Sequence, residues 1–146
     1  MRALALAAAF AAGLGAAQPA AADYNWNELA AEFCRLTLMG DLPALRPLIS
    51  DELAADIAAA SRNPEMPPAR VLFQTYTNEV PVCQVRTRNA ALVEVRRSNA
   101  GGAAPAWTEY LVIVPERDGT TRIDDVLFAT RRSDTLRARL YQYADR

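Results

Sequence analysis

Three prolines within five residues, Pro64, Pro67 and Pro68, split this chain into halves with different hydrophobic periods. Proline removes a helical hydrogen bond, clashes with the preceding turn and pushes the residue before it to extended backbone. Asn63–Pro68 is therefore a connector, and no helix crosses it. Before it, residues 23–61 read as helical. Trp26, Leu29, Ala30, Phe33 and Thr37 recur at one face of a 3.6-residue period, with Cys34 on its border. Gly40 is placed to end that helix, and Asp41 to cap a short turn carrying Pro43 near its start. Leu42, Leu45 and Leu48 give that turn an apolar edge. Ser50 is a good N-cap for a further helix, with Asp51 and Glu52 at its positive end and Leu53, Ile57 and Ala60 inward.

After the connector the period falls to two, and Val, Ile, Thr and Tyr dominate. The expected strands are Val71–Thr75, Val82–Arg88, Ala91–Arg97, Trp107–Pro115 and Thr121–Ala129. The last two flank a tight Asp118-Gly119 turn, a strong hairpin signal. Ser98-Asn99-Ala100-Gly101-Gly102 is a loop between two strands. Ser133 is placed to cap a short closing helix in which Leu136, Leu140 and Tyr143 align. Helices followed by hairpin-connected strands mean α+β: N-terminal helices packed on one face of an antiparallel sheet of about five strands.

Composition removes more chemistry than it suggests. All 16 basic residues are arginine, with no lysine and no histidine. A histidine base, a histidine metal ligand, a Schiff-base lysine and a phosphate-loop lysine are all excluded. No metal-ligand cluster, glycine-rich phosphate loop or nucleophile elbow is legible, so neither a metal nor a cofactor is expected.

Residues 1–22 have the layout of a secretory signal peptide. Met1-Arg2 is the positive start, Ala3 to Gly15 is uncharged and apolar, and Ala20-Ala21-Ala22 offers a cleavage point. The apolar run is about 13 residues, short of the roughly 20 that span a bilayer. The mature chain, residues 23–146, is expected to be one domain, periplasmic or secreted. Loss of Arg2 leaves 15 arginines against 17 acids. That near-balance argues for no nucleic-acid partner and no stable membrane insertion after cleavage, leaving an unknown small ligand or protein.

The two cysteines, Cys34 and Cys83, form an even pair in an exported chain and read as one disulfide. The alternative is a pair of free thiols. If Cys83 reaches Cys34 on the first helix, then Cys83, Val85 and Thr87 face the helices. Gln84, Arg86 and Arg88 then face solvent.

Arg122-Ile-Asp-Asp-Val-Leu-Phe128, followed by Leu136-Arg-Ala-Arg-Leu140, resembles the ending of small secreted bacterial proteins of the nuclear-transport-factor-2-like superfamily. That superfamily includes ketosteroid isomerase. The helical start with Gly40-Asp41-Leu42 and the single cysteine pair agree with it. The resemblance implies a cone-shaped fold, with a curved antiparallel sheet wrapping the N-terminal helices and a pocket at the mouth. It implies no particular activity.

Asp124 and Asp125 are adjacent on a strand and so should face opposite sides. Ile123, Asp125 and Leu127 would share one side; Asp124, Val126 and Phe128 would share the other. The expectation is that Asp125 faces inward, although Val126 and Phe128 make nearly as good a case for Asp124, and that the inward carboxylate finds an arginine or backbone donors. A pocket-facing role for either aspartate is the competing expectation. Glu109 and Tyr110 likewise take opposite faces. Tyr110 with Asp124 or Asp125 would supply the residue types of an acid–base isomerase or dehydratase. Trp107 and Tyr110 otherwise serve as core or rim aromatics. Arg96-Arg97 and Arg131-Arg132 read as solvated strand ends. Arg70, Arg86 and Arg88 could line an acidic partner's footprint. Two functions follow: an exported non-enzymatic module binding a ligand or protein, or the acid–base enzyme.

Overall fold

The computed structural model describes residues 25–75, 81–101 and 107–144; the leader read at 1–22 lies outside them. Asn25 opens α1 (Trp26–Met39) by accepting the Asn27 N–H at 3.1 Å. Gly40 closes the helix in the left-handed conformation, φ 75°, as glycine permits without steric cost. The aliphatic stem of Arg70 lies against it, close enough that a Cβ there would come within 3.1 Å. Asp41 caps the 3-10 turn Pro43–Leu45 through the Ala44 N–H, and Ser50 caps α2 (Asp51–Ala60) through the Leu53 N–H. Leu29, Ala30, Phe33, Cys34 and Thr37 are all buried on one face of α1, as the spacing requires.

The expected strand Val71–Thr75 is not a strand. Residues Ala69–Leu72 form a short helix, α3, entered from the extended Pro68. Ala69, Leu72 and Phe73 are buried at i, i+3 and i+4, whereas Val71 is exposed. The helical period was present there but was masked by the β-branched Val71 and Thr75.

Four antiparallel strands make one open sheet in the order β1 (Val82–Asn89), β2 (Leu92–Ser98), β3 (Trp107–Pro115), β4 (Thr121–Phe128). The sheet has four strands rather than about five. Beyond β4, Ile49 makes a single parallel bridge to Ile123, with Ser50 N–H donating to the Ile123 carbonyl at 2.9 Å. The β3–β4 turn carries Gly119 at φ 81°, and Asp118 accepts the Thr120 N–H. The closing helix α4 (Leu136–Tyr141) begins two residues later than expected. Its cap is Thr135, which accepts the Ala138 N–H at 3.1 Å, and not Ser133. Leu136 and Leu140 are buried and Tyr143 packs on the core beside them.

The core lies between the helices and one face of the sheet. Val93 and Val95, Leu111 and Ile113, and Ile123, Val126 and Phe128 meet Leu29, Phe33, Leu53 and Phe73. Phe33 and Phe73 pack edge to face with centroids 5.6 Å apart.

Candidate functional site

The inward face of the sheet is apolar except at one corner, where it holds a buried charge pair. Arg97 shares parity with Val93 and Val95 on β2, and Glu109 shares parity with Leu111 and Ile113 on β3. Their side chains are 0% and 1% exposed. Arg97 donates to Glu109 Oε1 from Nε at 2.9 Å, with Nη2 at 2.7 Å from the same oxygen. Nη2 also donates to Thr37 Oγ1 at 2.8 Å, and Nη1 to the Cys34 carbonyl at 3.5 Å. The expectation that Arg96-Arg97 is a solvated strand end therefore fails for Arg97: alternation turns it inward while Arg96 stays exposed. The exposed pair Arg131-Arg132 does fit that expectation.

The Cys34–Cys83 disulfide forms as expected and closes over this corner. It joins α1 to the edge strand β1, and Cys83 and Val85 pack against the core while Gln84, Arg86 and Arg88 are exposed. Thr87 is exposed, yet its hydroxyl donates to Asn27 on α1 at 3.0 Å, so its side also turns to the helices. Nη1 of Arg97 lies 3.1 Å from Cys34 Sγ and 3.5 Å from Cys83 Sγ. Burial pushes the Glu109 carboxyl above the usual glutamate range, against the opposing pull of Arg97 and Arg139. Glu109 Oε2 and Trp107 Nε1 are buried with no hydrogen-bond partner among the described residues. Trp107 and Glu109, two residues apart on β3, share the inward face.

The aspartate pair behaves differently from a regular strand. Val112 pairs with Asp125 but Ile113 pairs with Ile123, so Asp124 is an extra residue in β4. This bulge resets the alternation, and the inward set becomes Ile123, Val126 and Phe128. The expected grouping of Asp125 with Ile123 and Leu127, and with it the inward Asp125, is thereby corrected. Both aspartates are half-buried at the β4 edge, where α2 and α4 meet. Asp124 accepts from Ser50 Oγ at 2.6 Å and from Arg137 Nη1 at 3.1 Å. Asp125 accepts the backbone N–H of Val126 at 2.8 Å and of Arg137 at 3.0 Å. Arg137 also reaches Asp56 at 2.8 Å and Glu52 at 3.5 Å, tying α4 to α2.

Tyr110 sits between the buried Glu109 and Leu111, so it belongs to the outward face, opposite Leu127. It is not brought together with Asp124, which points into the α2–α4 corner. The outward face carries half-buried Leu92, Tyr110, Val112, Val114 and Leu127 as cross-strand neighbours. Around them stand Arg86, Arg88, Arg96 and Arg122, with Glu94 among them and Asp125 drawn to the start of α4. Arg88 pairs with Glu94.

Hollows also occur on the surface among the described residues, two of them of contrasting character. A polar one of about 560 Å³ lies between the start of α2 and the β3–β4 turn, with Arg46, Asp51, Glu116 and Arg122 in its walls. Glu116 Oε1 already accepts the Asp51 N–H at 3.1 Å there. An apolar one of about 330 Å³ lies within the helical layer, against Leu42, Pro43, Ile49, Ala54, Ile57 and Ala58. Among the described residues no cluster of three or more acids or cysteines is arranged to hold a metal. No helix among them is long and apolar enough to cross a membrane.

The signal for the Arg97–Glu109 pair was in the sequence: a charged residue at apolar parity on each of two neighbouring strands. The Arg137 hub carried none, because it depends on how α4 folds back. Comparison of the chain with protein-family models, with curated proteins and with solved structures gives no match.

Proposed function

We propose that this is an exported, non-enzymatic binding module whose partner is a protein with an apolar centre and an acidic rim. The observation that carries the reading is the outward sheet face. Its centre is Tyr110, Val112, Val114, Leu92 and Leu127, and its rim is arginine-rich in a chain whose formal net charge is −1. Apolar patches framed by polar residues mark interaction surfaces, and tyrosine and arginine are enriched in them. An arginine-rich rim disfavours a second copy of the same face and favours acidic complement.

Other features support the same reading. Large apolar side chains fill the space between helices and inward face, as a cone-shaped fold with a closed mouth would require. The disulfide suits an oxidising compartment, which agrees with the leader expected at 1–22. Tyr110 on the outward face and Asp124 engaged by Ser50 and Arg137 favour binding over the acid–base alternative.

Affinity capture from a periplasmic extract tests the reading, with wild type and Val112→Glu compared side by side. The expected partner is retained by wild type, falls away with rising salt and is lost on Val112→Glu. Retention unaffected by that substitution, or dimerisation through the same face in sedimentation, would overturn the reading.

A further inference from the structure

One guanidinium stands against both sulfurs of the disulfide, and the two sulfurs differ in access. Cys34 is 1% exposed beneath α1, while Cys83 is half-buried on β1, the edge strand of the sheet. An external thiolate therefore reaches Cys83 first, and the leaving sulfur is Cys34, 3.1 Å from Arg97 Nη1. A cation beside the leaving sulfur stabilises it as thiolate and speeds exchange. We propose that Cys34–Cys83 is a thiol–disulfide exchange centre that oxidises an external dithiol, with Arg97 holding the Cys34 thiolate.

The step balances as follows. One thiolate of the dithiol bonds to Cys83 Sγ, the S–S bond breaks, and its electron pair leaves on Cys34 Sγ. The second thiol of the same molecule then attacks its own sulfur in the mixed disulfide and releases Cys83. The dithiol becomes a cyclic disulfide, having lost two electrons and two protons. The protein gains both electrons. One proton goes to Cys83 and the other is released to solvent, leaving Cys34 as the thiolate beside Arg97.

The buried anion that competes for Arg97 is Glu109. Arg97 is already shared with its Oε1, at 2.7 Å, and cannot fully neutralise a second buried charge on Cys34. Burial pushes the Glu109 carboxyl up, against the opposing pull of Arg97. From α4, Arg139 also acts on Glu109 and stands 3.7 Å over the Phe128 ring. From α1, Thr37 Oγ1 accepts from Arg97, and Thr75 donates to the Thr37 carbonyl.

The test equilibrates the protein with dithiothreitol buffers at pH 7 and reads the oxidised fraction by quenched alkylation and mass. Thiolate absorbance at 240 nm is then followed against pH in the reduced protein. One thiol is expected to titrate at least one pH unit below the ordinary cysteine value of about 8.5. Glu109→Gln removes the competing anion and should shift the equilibrium about tenfold toward the reduced form. Arg97→Met added to it should reverse that shift by tenfold or more. Wild type read alone keeps the proposal testable should the buried variants fold poorly. Loss of folded structure on reduction at 25 °C, or thiols that both titrate at or above about 8.5, would overturn it. So would a Glu109→Gln equilibrium equal to that of wild type.

Discussion

Arg97 and Glu109 place a full charge pair inside an otherwise apolar layer, so their worth is read by removing one charge and then both. A buried ion pair is weak evidence for stability, but breaking it by half leaves an uncompensated charge. Arg97→Met should cost about 3 kcal/mol or more, and adding Glu109→Gln should recover a large part of that loss. Urea unfolding of the two variants checks the order, and a double variant no more stable than the single contradicts it. The pH dependence separates two carboxylates of opposite sign. Glu109 is raised by burial, so its folded form holds a proton that the unfolded chain releases above about 4.3. Its contribution is fully present below that pH and is lost as pH rises through the folded value. Asp134 is lowered, first by the hydrogen bond from Arg139, so its contribution is present above about 3.9 and lost as pH falls. Stability measured from pH 3 to 9 should show the gap between wild type and Glu109→Gln narrowing as pH rises. The gap to Asp134→Asn should narrow as pH falls.

At the scale of elements, the bulge in β4 turns two adjacent aspartates toward one corner and so builds the start of α4. Thr135 accepts from Ala138, and Asp125 from Arg137, so two orphan donors of that helix are met from two different elements. Asp125→Ala should cost about 1–2 kcal/mol through the lost cap, whereas Asp125→Asn keeps the acceptor and should cost under about 0.5. Asp124→Asn loses the charge facing Arg137 but still accepts from Ser50, and about 1 kcal/mol is expected. Equal costs for the alanine and asparagine changes at position 125 would mean that the carboxylate is no cap. The helices, their caps at Asp41 and Ser50 and the four observed strands were legible because period and cap chemistry act locally. The bulge was not, since one extra residue leaves composition unchanged while flipping every later side chain. Nor was α3, where four residues give too little period to outweigh Val71 and Thr75. Arg97 departs from the solvated-end expectation because parity along β2, and not residue type, decides which side an arginine takes. Trp107, Tyr110, Asp124 and Asp125 do not form one site, because the fold sends Tyr110 outward and both aspartates to the α2–α4 corner.

For the whole molecule, the helices and the sheet meet across one apolar layer, and a single covalent link crosses it. Cys34 and Cys83 are 49 residues apart in sequence, and closing such a loop restricts the unfolded chain by roughly 4 kcal/mol in the chain-entropy account. The same link holds β1, the edge strand, against α1 and keeps Arg97 enclosed. The outward face depends on that arrangement, since β3 turns Tyr110 and Val112 outward only while Glu109, paired with Arg97 of β2, stays inward. The measurement that tests this most directly is the thermal unfolding midpoint with and without reductant. The account predicts a fall of more than about 5 °C on reduction, with one cooperative transition retained. An unchanged midpoint, or two thiols that titrate freely in the native protein, would contradict it.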